Sequence, residues 1–147
     1  MKVVLQRVIE ASVAVDDRTV ASIGKGLLLF IGIEKGDTAE MAESVAGKVC
    51  RLRVFEDTEG KMNLDIRQVA GEVLSVPQFT LVGDISKGNR PGFDNAAPPE
   101  RAVKLWQKFN DAITVFDVAV APGEFGAHMN VSLVNDGPVT FIVDPDK

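Results

Sequence analysis

The sequence predicts an α+β fold in which curved antiparallel or mixed β-sheets form a barrel-like structure and two helices pack outside it. Three observations support this prediction. Alternating apolar and polar residues dominate the first third of the chain, two later segments repeat apolar residues every three or four positions, and short apolar segments return near the end. A length of 147 residues suits one domain, expected to span residues 1–147, and the 46% hydrophobic and 25% charged shares are typical of globular proteins.

The first third of the chain is predicted to form strands. Segments 2–9 and 12–15 alternate apolar and polar residues, a turn follows at 16–18, and segment 19–23 continues the alternation. After a glycine-rich turn, Leu27–Ile33 is almost wholly apolar, which predicts a central strand covered on both faces. This run is also the longest apolar stretch, and its seven residues are far fewer than the ~20 needed to cross a bilayer.

Two helices are predicted from apolar residues at helical spacing. The first begins at Asp37, with Glu40 as its capping-box partner, and its apolar stripe contains Met41, Val45, Val49 and Leu52. The second begins near Pro99, and its apolar face consists of Ala102, Leu105, Trp106, Phe109 and Ile113.

The remaining segments are predicted to be strands and one long loop. Strands are expected at 53–55, 72–81, 114–120, 129–135 and 139–143, the last two joined by a tight turn at Asp136-Gly137-Pro138. The stretch from Gly83 to Pro99 is irregular. A loop of that length in a compact domain is usually functional or disordered.

Charge and composition exclude several classes of function. Sixteen Lys and Arg residues against 21 Asp and Glu residues give a net charge of −5, which disfavours broad non-specific nucleic-acid binding but permits a local basic patch. One cysteine and one histidine supply no zinc site, and no phosphate-loop or dinucleotide-binding motif occurs, so no metal or cofactor is expected. The start of the chain lacks a signal-peptide layout, which favours a cytoplasmic location without a membrane.

Side chains suited to nucleophilic catalysis are few. Cys50 lies on the core side of the first predicted helix and is expected to be a buried structural residue. His128 is the only histidine, so it is either a surface residue or the general base for a nucleophile such as Thr80.

Two local motifs are unusual. Pro77 ends an apolar strand and lacks an N–H, so it must lie at an edge or a bulge, where the following backbone N–H groups are free to face a pocket. In that strand Gln78 and Thr80 would share one face, with Phe79 on the other. The second motif, Asn135 to Thr140, contains a Gly-Pro pair that by itself predicts a structural turn, with a cis peptide as an alternative.

Taken together, these features resemble the D-aminoacyl-tRNA deacylase family. The motifs that carry the resemblance follow one another along the chain: Gln6-Arg7-Val8, Arg53-Val54-Phe55, Pro77 to Leu81, Lys87 to Phe93, Ala96 to Pro99, Phe125 to Met129, and Asn135 to Thr140. The resemblance implies a homodimeric esterase of translational quality control, whose substrate is D-aminoacyl-tRNA and which also accepts glycyl-tRNA.

The resemblance also implies roles for individual residues. Gly137 and Pro138 match a cis peptide that enters the partner subunit's pocket, where its carbonyls hold the substrate amino group and exclude L-amino acids. Arg7 matches the residue that braces this motif. Phe125 and Met129 match positions that contact the terminal adenine.

The catalytic motif implied by the resemblance is Gln78-Phe79-Thr80, whose main-chain N–H groups lie near the scissile carbonyl. In the family the terminal 2′-hydroxyl of the tRNA is thought to assist the attack. Thr80 is then interpreted as an orienting residue, with the role of nucleophile as the alternative. This arrangement agrees with the shortage of catalytic acids and bases, because the protein mainly positions substrate and offers amide donors.

Several alternatives remain open. Lys87 and Arg90 in the long loop are candidates for phosphate contact or simply part of a solvated surface. The family usually has serine at the position of Pro77, which leaves a relaxed-specificity aminoacyl-tRNA deacylase as one alternative. A non-catalytic dimeric RNA-binding module and a self-contained Thr80/His128 esterase are the others.

Overall fold

The computed structural model describes residues 1–147. Its elements in chain order are β1 Lys2–Val15, β2 Arg18–Ile23, β3 Gly26–Gly32, α1 Ala39–Arg51, β4 Phe55–Glu56, β5 Met62–Leu64, β6 Glu72–Pro77, α2 Pro99–Thr114, β7 Val120–Pro122 and β8 Asn130–Val143. A short 3-10 helix at Phe79–Val82 follows β6. No helix combines the length and apolar character needed to cross a membrane.

Six strands form one mixed sheet. The order β2-β1-β3-β6-β7 gives one path, and β8 pairs with the opposite edge of β1. The β3–β6 and β6–β7 pairs are parallel, whereas β1 is antiparallel to β2, β3 and β8. Because β2 also contacts β6 and β7, the sheet curls toward closure, which confirms the predicted mixed, barrel-like α+β architecture.

The core has two parts, separated by the sheet. Leu27, Leu29 and Ile31 of β3 face the layer that contains both helices. Leu28, between them in sequence, faces the smaller cluster inside the curl. Both faces of β3 are therefore buried, as its unbroken apolar run predicts. The predicted apolar face of α2 is buried as well.

The N-terminal strand is longer than predicted. Segments 2–9 and 12–15 were expected to be separate, but β1 runs through both, pairing first with β3 and then with β2. The apolar alternation slips at Ile9 and Glu10, both exposed, where the register between β1 and β8 also shifts. An irregularity inside one strand therefore mimics a break between two.

The start of α1 differs by one residue from the prediction. Thr38, not Asp37, caps the helix, because its hydroxyl accepts the N–H of Met41 at 3.2 Å. Asp37 is buried and instead accepts the N–H of Glu34 at 2.7 Å and the terminal ammonium of Met1. The predicted capping box with Glu40 is therefore wrong.

Other predicted strand boundaries also need correction. The segment 72–81 is strand only to Pro77, where the chain turns into the 3-10 helix. Most of 114–120 is the turn after α2, and β7 begins only at Val120. The strand predicted at 53–55 is the two-residue β4, whose partner β5 was not predicted.

The largest correction concerns the end of the chain. Segments 129–135 and 139–143 are not two strands of a hairpin but parts of the single strand β8, antiparallel to β1 along its length. Val8 pairs with Asn135 and Gln6 with Thr140, so the four residues 136–139 bulge out opposite Arg7 alone. The Gly-Pro pair therefore lies on a projection from a continuous strand rather than in a turn.

Candidate active site

An apolar cleft of about 450 Å³ opens beside the end of β6. Its lining residues come from the ends of β3 and β6, from the segment that enters α2, and from the β7–β8 connection: Ile31, Ile33, Pro77, Gln78, Phe79, Phe93, Ala96, Ala97, Pro98, Pro99, Ala102, Phe125 and Gly126. The apolar character and size of this cleft are those of a small-ligand site.

In the segment Gln78-Phe79-Thr80, the first two residues line one rim of the cleft. The segment is not extended, so the predicted alternation of faces is wrong, and the side-chain amide of Gln78 donates to the Thr80 hydroxyl. The Gln78 N–H donates to the carbonyl of Ile31 at 2.8 Å, so the prediction that this N–H is free is wrong. The N–H groups of Phe79 and Thr80 open the 3-10 helix, whose own bonds do not use them.

Phe125 forms part of the opposite wall. Its ring packs against Trp106 of α2, with ring centroids 5.9 Å apart. Met129 does not line the cleft but is half-buried against the inner core cluster, beside Gly123. Of the two predicted adenine contacts, only Phe125 therefore faces the cleft.

Arg7 braces the bulge in β8. It is buried, and its Nε donates to the carbonyl of Asp136 at 2.9 Å while Nη1 donates to that of Val54 at 2.7 Å. The carboxylates of Asp136 and Glu56 lie 3.3 and 3.6 Å from its guanidinium. These partners compensate the loss of hydration that burial of an arginine entails.

The bulge itself is closed by Asn135. Its side-chain amide donates to the carbonyls of Arg7, at 2.9 Å, and Val139, at 3.1 Å. The Gly137–Pro138 peptide bond is cis, as the resemblance implies, and both residues are exposed. A Cβ at position 137 would overlap the backbone nitrogen of Val139, so only glycine fits there. Neither Gly137 nor Pro138 lines the cleft of the same chain.

Lys87 and Arg90 lie on the long loop that follows the 3-10 helix. Residues 84–95 are exposed, and the loop is closed by paired backbone hydrogen bonds between Asp84 and Gly92, at 2.8 and 2.9 Å. A hydrogen bond from Ser86 lowers the pKa of the Asp84 carboxyl. The two cations therefore project into solvent from a loop whose base adjoins the cleft at Phe93.

The remaining candidate groups do not complete a nucleophilic site. His128 is exposed and makes no hydrogen bond to Thr80. Cys50 is buried in the helix-facing core, as predicted, and burial raises the pKa of its thiol to about 11. Neither group can activate Thr80 in this arrangement.

Sequence reasoning did not identify all cleft residues. Ile33, Phe93 and Ala97 line the cleft but were not proposed as site residues. Phe93 and Ala97 lie within motifs that carried the family resemblance, and this was the only signal that pointed to them. Ala97 is held beside Ile33 because its N–H donates to the Ile33 carbonyl at 3.0 Å, a contact that local patterns do not reveal.

Comparisons with known proteins identify the family of this chain. The model of the D-Tyr-tRNA(Tyr) deacylase family matches residues 4–144. A protein of Geotalea daltonii named D-aminoacyl-tRNA deacylase is 54% identical over 147 residues, which cover 100% of this chain and 98% of that protein. A protein of Thermotoga petrophila with the same name is 50% identical, covering 100% of this chain and 99% of its own.

A solved structure with a similar fold also matches nearly the whole chain. The structure described as c-Myc DNA unwinding element binding protein has a TM-score of 0.91 and 38% sequence identity, and the match covers 98% of both chains. With a family model that spans nearly the whole sequence and relatives at half identity, this chain belongs to the D-Tyr-tRNA(Tyr) deacylase family.

Proposed function

We propose that this chain hydrolyses the ester bond between a D-amino acid and the 3′-terminal adenosine of tRNA, releasing free tRNA and the amino acid. Family membership makes the chain a hydrolase that acts on an ester bond of aminoacyl-tRNA. The observation that carries the proposal is the position of Gln78 and Phe79, from the family's pocket motif, on the rim of the apolar cleft.

The protein's contribution to catalysis is positioning and amide hydrogen bonding. Thr80 has no general base beside it, and its hydroxyl accepts a hydrogen bond from Gln78. We therefore assign activation of the attacking water to the 2′-hydroxyl of the terminal ribose. The N–H groups of Phe79 and Thr80 stabilise the oxyanion as the carbonyl is attacked, and one such donor is typically worth about 3–4 kcal/mol.

Chiral selection is proposed to require a homodimer. Gly137 and Pro138 project from β8, are exposed, and lie outside the cleft of their own chain, which is the arrangement expected of a motif that enters a partner's site. Inside that site their carbonyls would hold the substrate amino group and leave no room for an L-side chain. Glycine has no side chain to exclude, so glycyl-tRNA is also a substrate.

The rest of the substrate is proposed to approach from the side of the long loop. Phe125 and the apolar cleft wall receive the terminal adenosine, while Lys87 and Arg90 contact backbone phosphates nearby. Because aminoacyl-tRNA is used in translation, we place the activity in the cytoplasm.

Relaxed specificity is the second candidate, and Pro77 favours it. Pro77 lies at the end of β6, lines the cleft, and stands where the family usually has serine. A serine hydroxyl that otherwise borders the amino-acid site is missing, so discrimination against L-aminoacyl esters is expected to be weaker.

The test is deacylation of D-Tyr-tRNA, L-Tyr-tRNA and Gly-tRNA by the purified protein, with a Pro77→Ser variant alongside. Hydrolysis of the D-tyrosyl and glycyl esters with the L-ester spared supports strict chiral checking. Relaxed specificity is supported if the wild-type protein also hydrolyses the L-ester and the Pro77→Ser variant spares it. If none of the three esters is cleaved, the enzyme proposal fails and a non-catalytic RNA-binding module becomes the better explanation.

A further inference from the structure

Two exposed phenylalanines stand at the mouth of the cleft. Phe79 is 59% exposed and Phe93 39% exposed, although both line the cleft. Their rings meet edge to face, with centroids 5.1 Å apart and planes at 64°. The proposed reaction accounts for the backbone of Phe79 but assigns no role to either ring.

The ring of Phe93 is held by its surroundings. Gly83 lies directly beneath it, since a Cβ there would come within 3.0 Å of Phe93 Cε1. The carbonyl of Phe93 accepts the N–H of Ala96 at 3.1 Å, and the preceding residue, Gly92, is paired with Asp84. Phe93 is therefore a fixed aromatic surface at the base of the loop that carries Lys87 and Arg90.

This combination is typical of sites for unpaired nucleotides. Such sites place aromatic faces, on which bases stack, beside cations that contact the backbone phosphates. The acceptor end of a tRNA is single-stranded, so an unpaired nucleotide precedes the terminal adenosine that enters the cleft. We propose that Phe93, supported by Phe79, stacks on the base of this penultimate nucleotide.

The chain's charge distribution favours a nucleic acid over an apolar protein partner at this position. The molecule carries a net charge of −5, yet the segment that the Asp84–Gly92 pairing closes carries Lys87 and Arg90, while the two carboxylates of the loop, Asp84 and Asp94, stand at its base. The proposal rests on the proposed function, because the adenosine must occupy the cleft for the preceding base to reach Phe93. Phe125 on the inner wall remains the contact for the adenosine itself.

The experiment compares two small substrates that differ by the penultimate nucleotide: D-tyrosyl-adenosine and D-tyrosyl-cytidylyl-adenosine. For the wild-type protein, adding the cytidine is expected to raise kcat/KM about tenfold through stacking and phosphate contact. Phe93→Leu keeps an apolar side chain without an aromatic face and should remove most of this ratio. Phe93→Trp should restore it.

Ile85→Ala is the matched control, since Ile85 is a 75%-exposed apolar residue of the same loop that does not line the cleft. Its ratio between the two substrates should equal that of the wild type. Equal kcat/KM values for both substrates in the wild type would overturn the proposal. So would a Phe93→Leu variant that loses activity on both substrates by the same factor, because Phe93 would then act on the adenosine or on the fold.

A binding measurement separates this proposal from the proposed function. Trp106 is the only tryptophan, no tyrosine is present, and its ring contacts Phe125, so its fluorescence reports on occupancy of the cleft. Cytidylyl-adenosine should bind about tenfold more tightly than adenosine, and Phe93→Leu should abolish the difference. This outcome would support the stacking site even if no ester were hydrolysed, whereas equal affinities would overturn it even in an active enzyme.

Discussion

Thr80 carries the one hydroxyl of the catalytic motif Gln78-Phe79-Thr80, and its surroundings decide whether this hydroxyl can be a nucleophile. The hydroxyl accepts the side-chain N–H of Gln78, and the only histidine is exposed elsewhere. A threonine without a base is a weak nucleophile at neutral pH. Its contact with Gln78 instead fixes the conformation of the rim, which agrees with an orienting role.

Replacement of Thr80 by valine is therefore expected to reduce, not abolish, hydrolysis. Loss of an orienting hydrogen bond should lower kcat/KM for D-Tyr-tRNA about 10- to 100-fold, whereas loss of a nucleophile typically costs about 10⁴-fold or more in kcat. His128→Ala should remain within about twofold of the wild type because its side chain contacts no reacting group. Single-turnover deacylation kinetics provide the measurement.

A Thr80→Val variant that folds normally but retains less than about 0.01% of the activity would contradict this interpretation. A similar loss of activity in His128→Ala would instead indicate that Thr80 and His128 act as a catalytic pair. Unfolding curves of both variants supply the control, since a damaged fold would also lower activity.

At the scale of secondary-structure elements, a buried polar network connects the cleft walls. Ser75 of β6 accepts the indole N–H of Trp106 at 2.9 Å and donates to Asn110 Oδ1 at 2.6 Å. The carbonyl of Ser75 accepts the N–H of Gly123 at 2.8 Å. Ser75 therefore connects three parts of the structure: strand β6, which leads into Gln78-Phe79-Thr80, helix α2, and the segment that leads to Phe125.

Substitutions in this network should lower the free energy of unfolding, and the cost of replacing Ser75 should depend on whether Trp106 is present. Ser75→Ala leaves the buried indole N–H and an amide oxygen without partners, so it should destabilise the protein by about 1–3 kcal/mol. Trp106→Phe removes only the donor and keeps a ring near Phe125. In the double variant the serine substitution should therefore cost less than it does alone. Urea unfolding of the four proteins measures this coupling, and strictly additive losses would argue against the network.

A structural feature could be predicted from the sequence when the residues that stabilise it lie close together along the chain. The apolar periodicity of α2 and the unbroken run of β3 identify those elements, because burial in each depends on side chains close in sequence. The bulge at Gly137 could not be distinguished from a hairpin turn, because its strand pairs with β1, which is 116 to 140 residues away in sequence. Phe93 likewise joins the cleft only through tertiary contacts, so no local pattern marks it.

For the whole molecule, the central question is where the Gly137–Pro138 projection acts. It is rigidly connected to its own chain, because Arg7 and Asn135 hold its base from inside the fold. Exposed apolar side chains accompany it on β8 and the adjoining part of β1: Ile9, Leu133, Val134, Phe141 and Ile142. Apolar side chains this exposed are typical of a surface covered by another molecule, and a second copy would bring the projection to a cleft.

Heterodimer complementation tests this arrangement directly. One variant, Gln78→Ala/Phe125→Ala, has a damaged cleft, and another, Gly137→Ala, has a damaged projection because no Cβ fits at position 137. Co-expressed with different C-terminal tags and purified through both tags, the heterodimer would contain one site with both intact parts. We therefore expect about half the wild-type activity per dimer, far above the activity of either variant alone. An inactive heterodimer would show that cleft and projection cooperate within one chain, because a two-fold dimer with sites built in trans must retain one functional pair.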